Sequence, residues 1–184
     1  HRRHAAELNP VILPHPNGRA RRGVLTVATA YSLHSETRLA LIHLIYVSTA
    51  RAAADAAMLE NILATSARNN SRDGITGMLL YAGGTFMQVL EGEESVVDAT
   101  HHRIEHDPRH TGIFVLERAP IAERSFSQWS MGFRQVGRAD VDSSPGFAPF
   151  FSEGFNAARI GAKPGVALSI LQHFGINQRE IRSR

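Results

Sequence analysis

At 184 residues, with 43% hydrophobic and 20% charged residues, the chain has the size and composition of one globular domain with appendages. It contains no cysteine, which excludes a disulfide framework, a thiolate nucleophile, an iron–sulfur cluster and a cysteine-ligated zinc. The net charge of +3 is uneven: residues 1–40 hold six arginines against Glu7 and Glu36, whereas the rest of the chain holds 14 basic and 15 acidic groups. The body is therefore near neutral, which does not suit a nucleic-acid-binding domain. No apolar run approaches the roughly 18 residues of a membrane span, so a cytoplasmic protein without membrane contact is expected. The leader begins with His1 and is rich in Pro, Arg and small residues, the composition of a disordered tail or a mis-set start. Its Arg19–Arg22 and Val24–Ala30 faintly resemble a targeting peptide, but the apolar stretch is short and interrupted by Thr26.

Regular structure is expected from Leu41 to Ser48, an apolar and β-branched run that places Ile42, Leu44, Tyr46 and Ser48 on one face and His43, Ile45 and Val47 on the other. Both faces are mostly apolar, which predicts a central strand. Met58, Leu59, Ile62, Leu63 and Ala67 form one stripe of a helix that Asp55 can cap and Asn70–Gly74 can end. Ile75–Tyr81 and Thr85–Glu91 flank Gly83-Gly84 and predict an antiparallel hairpin. Ser95 and Asp98 have capping-box spacing ahead of a helix carrying Val97, Thr100 and Ile104, which Pro108 stops. Thr111–Leu116 is a further strand, and Phe126–Arg134 can supply a fifth. The order β-α-β-β-α-β predicts an α+β, ferredoxin-like sheet with its first and third strands adjacent and parallel and both helices on one face.

From Gly137 a Ser/Pro/Gly linker leads into Phe147, Phe150, Phe151 and Phe155. A last helix, opened by Pro164 and closed by Gly175, carries Val166, Ile170, Leu171 and Phe174 on one stripe. The predicted partner of this segment is the sheet face left bare by the two helices, toward Ile45 and Val89.

His102-Arg103-Ile104-Glu105-His106 fits the H-x-x-E-H zinc-protease pattern, but Pro108 ends the helix at once, so a polar helix face is expected and no metal is assigned. His101 and His110 could add only a weak adventitious site. No G-x-G-x-x-G, Walker A motif or nucleophile elbow is present. What remains is polar residues at core positions. Tyr46 lies on the helix-facing side of strand one, and Gln88 lies between Phe86 and Leu90 on strand three. A buried Gln needs partners for its donors and acceptors, and a tyrosine hydroxyl or a ligand can supply them. With Asn69 and Asn70 ending the first helix and Arg103 and Asp107 one turn apart on the second, two readings stay open: an internally bonded Tyr–Gln pair with capping residues, or a site for a planar ligand between the helices.

LIYVSTA, SARNNSRDGITGMLLY, GGTFMQVLEG, RIEHDPRHTGI and FSQWSMGF occur in that order between residues 44 and 133. This series closely resembles the BLUF domain, the sensor of blue light using FAD, and the likeness implies a BLUF sensor at 41–136, the leader at 1–40 and a linker with a C-terminal helical cap or output segment at 137–184. By resemblance, the essential tyrosine falls on Tyr46, the essential glutamine on Gln88 and the ring-contacting asparagine on Asn70. Asn69, Ser66, Arg103, Asp107, Arg109 and His110 fall on positions lining the flavin pocket, and Trp129 and Met131 on those proposed to relay the signal. The implied cofactor is noncovalent FAD, with FMN or riboflavin as possible substitutes, and no substrate is turned over. The resemblance is to the short, single-domain type, which signals through C-terminal helices to a separate protein and commonly self-associates, so a homo-oligomer is expected. A ferredoxin-like binding module without photochemistry is the alternative, with nucleic-acid contact through the leader as one form. A small hydrolase on the same fold lacks any nucleophile–base pair.

Overall fold

The computed structural model describes residues 40–52 and 54–176, so the expectations for the leader and the chain end lie outside the described residues. Strand β1 (Leu41–Ala50) is buried continuously from Ile42 to Ser48, as its apolar run predicts. Helix α1 (Ala56–Asp73) starts at the predicted cap, where Asp55 accepts from the Met58 N–H at 2.8 Å, and closes on left-handed Gly74. Its start is exposed, so Asp55→Ala should lower stability by about 0.5–2 kcal/mol, the usual worth of an N-cap, and chemical denaturation would measure it.

Strands β2 (Thr76–Ala82) and β3 (Thr85–Glu93) form the expected hairpin. At its turn Gly83 has φ +50°, and a Cβ there would fall 1.3 Å from the Glu153 carbonyl oxygen. Only glycine allows this approach, which clamps the turn to the C-terminal segment; beside it Thr85 Oγ1 accepts from the Phe155 N–H at 2.8 Å.

Helix α2 (Glu94–Glu105) follows β3 directly. The Ser95–Asp98 capping box does not form. Strand pairing carries the chain into the helix, with the Glu94 N–H bonded to Ala40 O at 2.9 Å, so Ser95 already lies in the first turn and donates to Glu93 Oε1 at 2.7 Å. Asp98 instead pairs with Arg118 at 3.0 Å on strand β4 (His110–Pro120), which is longer than predicted at both ends.

The sheet order is β4-β1-β3-β2-β5. Strands β1 and β3 are neighbours, but they run antiparallel, which corrects the expected direction. The α1 crossover returns the chain so that β2 runs with β1, and the tight hairpin then reverses β3. The fifth strand, β5 (Gly132–Gln135), is shorter than predicted and pairs parallel to β2; Phe126 precedes it and is buried in the core.

Both helices cover one sheet face and the C-terminal segment covers the other. That segment holds the short helices α3 (Arg138–Asp142) and α4 (Ala157–Gly161) and the longer α5 (Val166–Ile176). Ile45, Met87 and Val89 of the sheet pack with Ile160, Ile170, Leu171 and Phe174 of the cap, where the sequence pattern puts them. Gly175, expected to close α5, lies within the helix among the described residues; a Cβ there would fall 3.0 Å from Met78 Cε and 3.5 Å from the Phe126 ring, so glycine admits this close packing. No helix among the described residues is long and apolar enough to cross a membrane.

Candidate functional site

The helix-facing side of the sheet is not one continuous core. Ile42, Leu44, Tyr46, Ile75, Leu90 and Val97 form a cluster under α2, and Leu59, Leu79, Tyr81 and Phe86 form another under α1. Met131, at the entry to β5, touches both. Between them the alternation of β1 and β3 points Tyr46, Ser48 and Gln88 inward, all buried. The inner face of α1 is incompletely covered: Ile62, Leu63, Ser66, Ala67 and Asn69 are half-buried, and only Leu59 and Asn70 are fully so.

Tyr46 and Gln88 face each other in register, and the tyrosine hydroxyl donates a short hydrogen bond to Gln88 Oε1. Gln88 Nε2 then donates to Met131 Sδ at 3.4 Å, a weak acceptor. Burial, aided by the Asp107 carboxylate, pushes the Tyr46 phenol far above its ordinary value of 10.0, so the hydroxyl keeps its proton and acts as a donor. Asn70 is buried at the end of α1 and donates through Nδ2 to Ser130 O at 2.8 Å, which ties α1 to the residue before Met131.

The predicted Arg103–Asp107 cluster is not what the structure assembles. The helix ends at Glu105, so Asp107 lies beyond it and is held by Arg109 through its side chain and, at 2.9 Å, its backbone N–H. Arg109 holds the Asp107 carboxyl below the usual carboxylate range, and its Nη1 reaches Asn61 of α1 at 3.2 Å. Arg103 turns to the other end of α1 and donates to Asp73 Oδ2 and Thr100 Oγ1, both at 2.9 Å. The two arginines thus strap α2 and its exit to α1. A cleft of about 480 Å³ opens where β1 and β4 leave α2, lined by Arg51, Asp107 and His110 among others.

Ser66 and Asn69 lie on the inner side of α1, half-buried. Trp129 is on the other side of the sheet from Met131: its ring tilts against Phe126 at 6.2 Å and packs with the core under the cap. Two residues near Tyr46 are additions to the sequence reading. Ser48 shares the Tyr46 face, which the alternation shows, but a lone serine gave no further signal. The sequence suggests for His101 only a weak metal contact, yet it is buried with its ring edge-on to Tyr46 at 5.3 Å. His106 Nδ1 is bonded to the His102 carbonyl at 2.8 Å, and among the described residues no group of acidic and histidine side chains is arranged to hold a metal.

Ser48 Oγ, His101 Nε2 and His110 Nδ1 are buried without a hydrogen-bond partner. Orphaned buried polar atoms are costly, and three of them around a divided core fit a polar, planar ligand between the helices. His110 is held below its ordinary value of 6.5 chiefly by burial, with Asp107 opposing and Arg109 and Arg51 assisting. The unfolded chain therefore binds this proton more readily than the native one, so stability from His110 is present above 6.5 and falls as pH drops from 6.5 toward the lowered value. Thermal melts of the wild type should show this acid loss, and His110→Gln should reduce it.

The family model described as sensors of blue-light using FAD matches residues 41–132, half of the chain. A photoactivated adenylate cyclase subunit beta of Euglena gracilis is 38% identical over 92 residues, 50% of this chain and 11% of that protein. The blue light- and temperature-regulated antirepressor BluF of Escherichia coli is 37% identical over 76 residues, 41% of this chain and 19% of that protein. The chain thus spans between a tenth and a fifth of the length of these relatives. Among solved structures, BlrB, a BLUF protein in its dark state, aligns with TM-score 0.55 and 36% identity over 60% of this chain and 83% of that one. The photo-activated state of BlsA aligns with TM-score 0.62 and 29% identity over 74% and 95%. Residues 41–132 carry strands β1 to β4, helices α1 and α2 and the Tyr46–Gln88 pair, and on this match the chain belongs to the BLUF family, the sensors of blue light using FAD.

Proposed function

We propose that this chain is a photosensor in which Tyr46 and Gln88 form the light-responsive pair, and that its output passes through the C-terminal segment to a separate protein. The buried hydrogen bond from Tyr46 to Gln88 Oε1, inside a divided core with orphaned polar atoms, carries the reading. Tyr46, Ser66, Asn69, Asn70 and Gln88 would hold the flavin ring between the helices, with Asp107, Arg109 and His110 at the cleft and Arg103 as an outer strap. Bound flavin supplies absorption of blue light and, once excited, an acceptor for an electron and a proton.

The chain's part is to hold and redirect one proton. Burial keeps the proton on Tyr46 Oη, and the hydrogen bond aims it at Gln88 Oε1. A glutamine that gains a proton at Oε1 and gives one up from Nε2 becomes its tautomer; one that rotates exchanges its donor and acceptor ends. Rotation presents Nε2 to Tyr46 and turns it away from Met131 Sδ, whereas the tautomer meets Tyr46 with a hydroxyl and keeps one N–H at Nε2. Because sulfur is a weak acceptor, surrendering the bond to Met131 costs little, which favours the two arrangements of comparable free energy that a switch requires. The net contribution of such a hydrogen bond is about 0.5–1.5 kcal/mol, enough to bias a balanced element and no more.

Relatives named as a light-activated cyclase and an antirepressor join such sensing to different outputs, which supports a partner-dependent role here. Self-association as a homo-oligomer is part of the same reading. The test is the absorption spectrum of the FAD-loaded chain before blue light, just after it and through dark recovery. A structured flavin band that moves slightly red and returns is the expected result; a band that does not move would leave a flavin-binding module without photochemistry.

A further inference from the structure

Glu91 lies on β3 three residues beyond Gln88, on the opposite face of the sheet, and is fully buried. Both of its carboxyl oxygens are used as acceptors. The Ser125 N–H donates to Oε1 at 2.9 Å, the Phe126 N–H to Oε2 at 3.0 Å and Thr76 Oγ1 to Oε2 at 3.1 Å. Arg124 completes the arrangement by donating to Glu91 O at 2.9 Å, Thr76 Oγ1 at 3.1 Å and Gly74 O at 2.7 Å. A carboxyl group taken wholly out of water needs such a set of donors, and here two of the three, the Ser125 and Phe126 N–H groups, are the start of one turn, with Thr76 of β2 as the third.

That turn touches both ends of the proposed signal path. Downstream, Trp129 O accepts from the Gly77 N–H at 3.0 Å, Ser130 O accepts from Asn70, and Met131 Sδ meets Gln88. Toward the cap, Ser125 Oγ accepts from Gln172 Nε2 at 3.4 Å, and the Phe126 ring lies against Gly175 of α5. We infer that Glu91 is a positioning residue: it fixes the 124–126 turn, so that a change at Gln88 and Met131 is delivered to α5 instead of being absorbed by a slack connection. This rests on the light-driven Gln88 rearrangement proposed above.

The test uses the full chain loaded with FAD and measures light-minus-dark amide hydrogen exchange over 125–131 and α5, with the visible spectrum recorded on the same samples. Glu91→Gln keeps the side chain's shape but replaces one acceptor oxygen by an NH₂ group that meets a donor. The flavin red shift should persist in this variant, because Tyr46 and Gln88 are untouched, while the light-minus-dark exchange difference in α5 is lost. Thr76→Val, which removes only the hydroxyl on Oε2, should weaken the same difference and decides the matter if Glu91→Gln does not fold. The inference is overturned if the wild type shows the red shift without any α5 difference, or if the variants retain the full difference. A wild type lacking the red shift would fail the photosensor reading itself, a distinguishable outcome.

Discussion

Tyr46→Phe should bind flavin and show no reversible red shift. The substitution removes one oxygen atom from a side chain that otherwise packs with Ile42, Leu44, Leu90 and Val97, so the pocket's shape is retained. It removes the hydroxyl that donates to Gln88 Oε1 and with it the proton aimed at that oxygen. The buried Gln88 oxygen loses its partner, which costs about 1–3 kcal/mol of stability. Denaturation measures that cost, and spectra under blue illumination measure the photochemistry. An intact photocycle in Tyr46→Phe would sink the assignment of Tyr46 as the proton source, whatever its effect on stability.

Leu171→Ala should cause a large loss of stability without altering the flavin site. Leu171 is fully buried in the core shared by α5 and the sheet, and truncating a core leucine costs about 2–5 kcal/mol, because removed contacts and a residual cavity add. For a domain of this size that is a fall in melting temperature on the order of 10 °C. The site lies on the other sheet face, so the folded fraction should keep the wild-type flavin spectrum. An unchanged melting temperature would mean that the C-terminal segment is a detachable appendage and not half of the core. The distinction bears on output, since a helix built into the core transmits by small displacement and not by release.

The fold was legible wherever one local rule decided it. The Asp55 cap, the Gly83-Gly84 turn and the unbroken apolar run of β1 each depend on neighbours in sequence. Tyr46 and Gln88 stood out because each is polar in a place where strand alternation calls for core. The direction of β3 relative to β1 follows from topology, since a crossover and a hairpin together reverse it, whereas the element order alone conveys only that the two strands are adjacent. The remaining misses are tertiary. Ser95 and Asp98 have capping-box spacing, but β3 pairing carries the helix start upstream and Arg118 takes the aspartate. Gly175 reads as a helix stop, yet its lack of a side chain serves the close approach of Met78. Arg103 and Asp107 share a helical spacing, but their partners, Asp73 and Arg109, are chosen by where α1 and the α2 exit come to lie. Glu91 carried no signal in sequence, since a glutamate on a strand is buried only when another segment brings donors to it.

The most direct test of the central claim is a light-minus-dark infrared difference spectrum of the FAD-loaded chain, unlabelled and with glutamine side-chain amides labelled with ¹⁵N. A difference band that moves with the label, and is absent from Gln88→Leu, is the predicted result, because the Gln88 amide changes its tautomer or its orientation. A reversible flavin red shift with no label-sensitive band would contradict the account and place the light response outside the Tyr46–Gln88 pair.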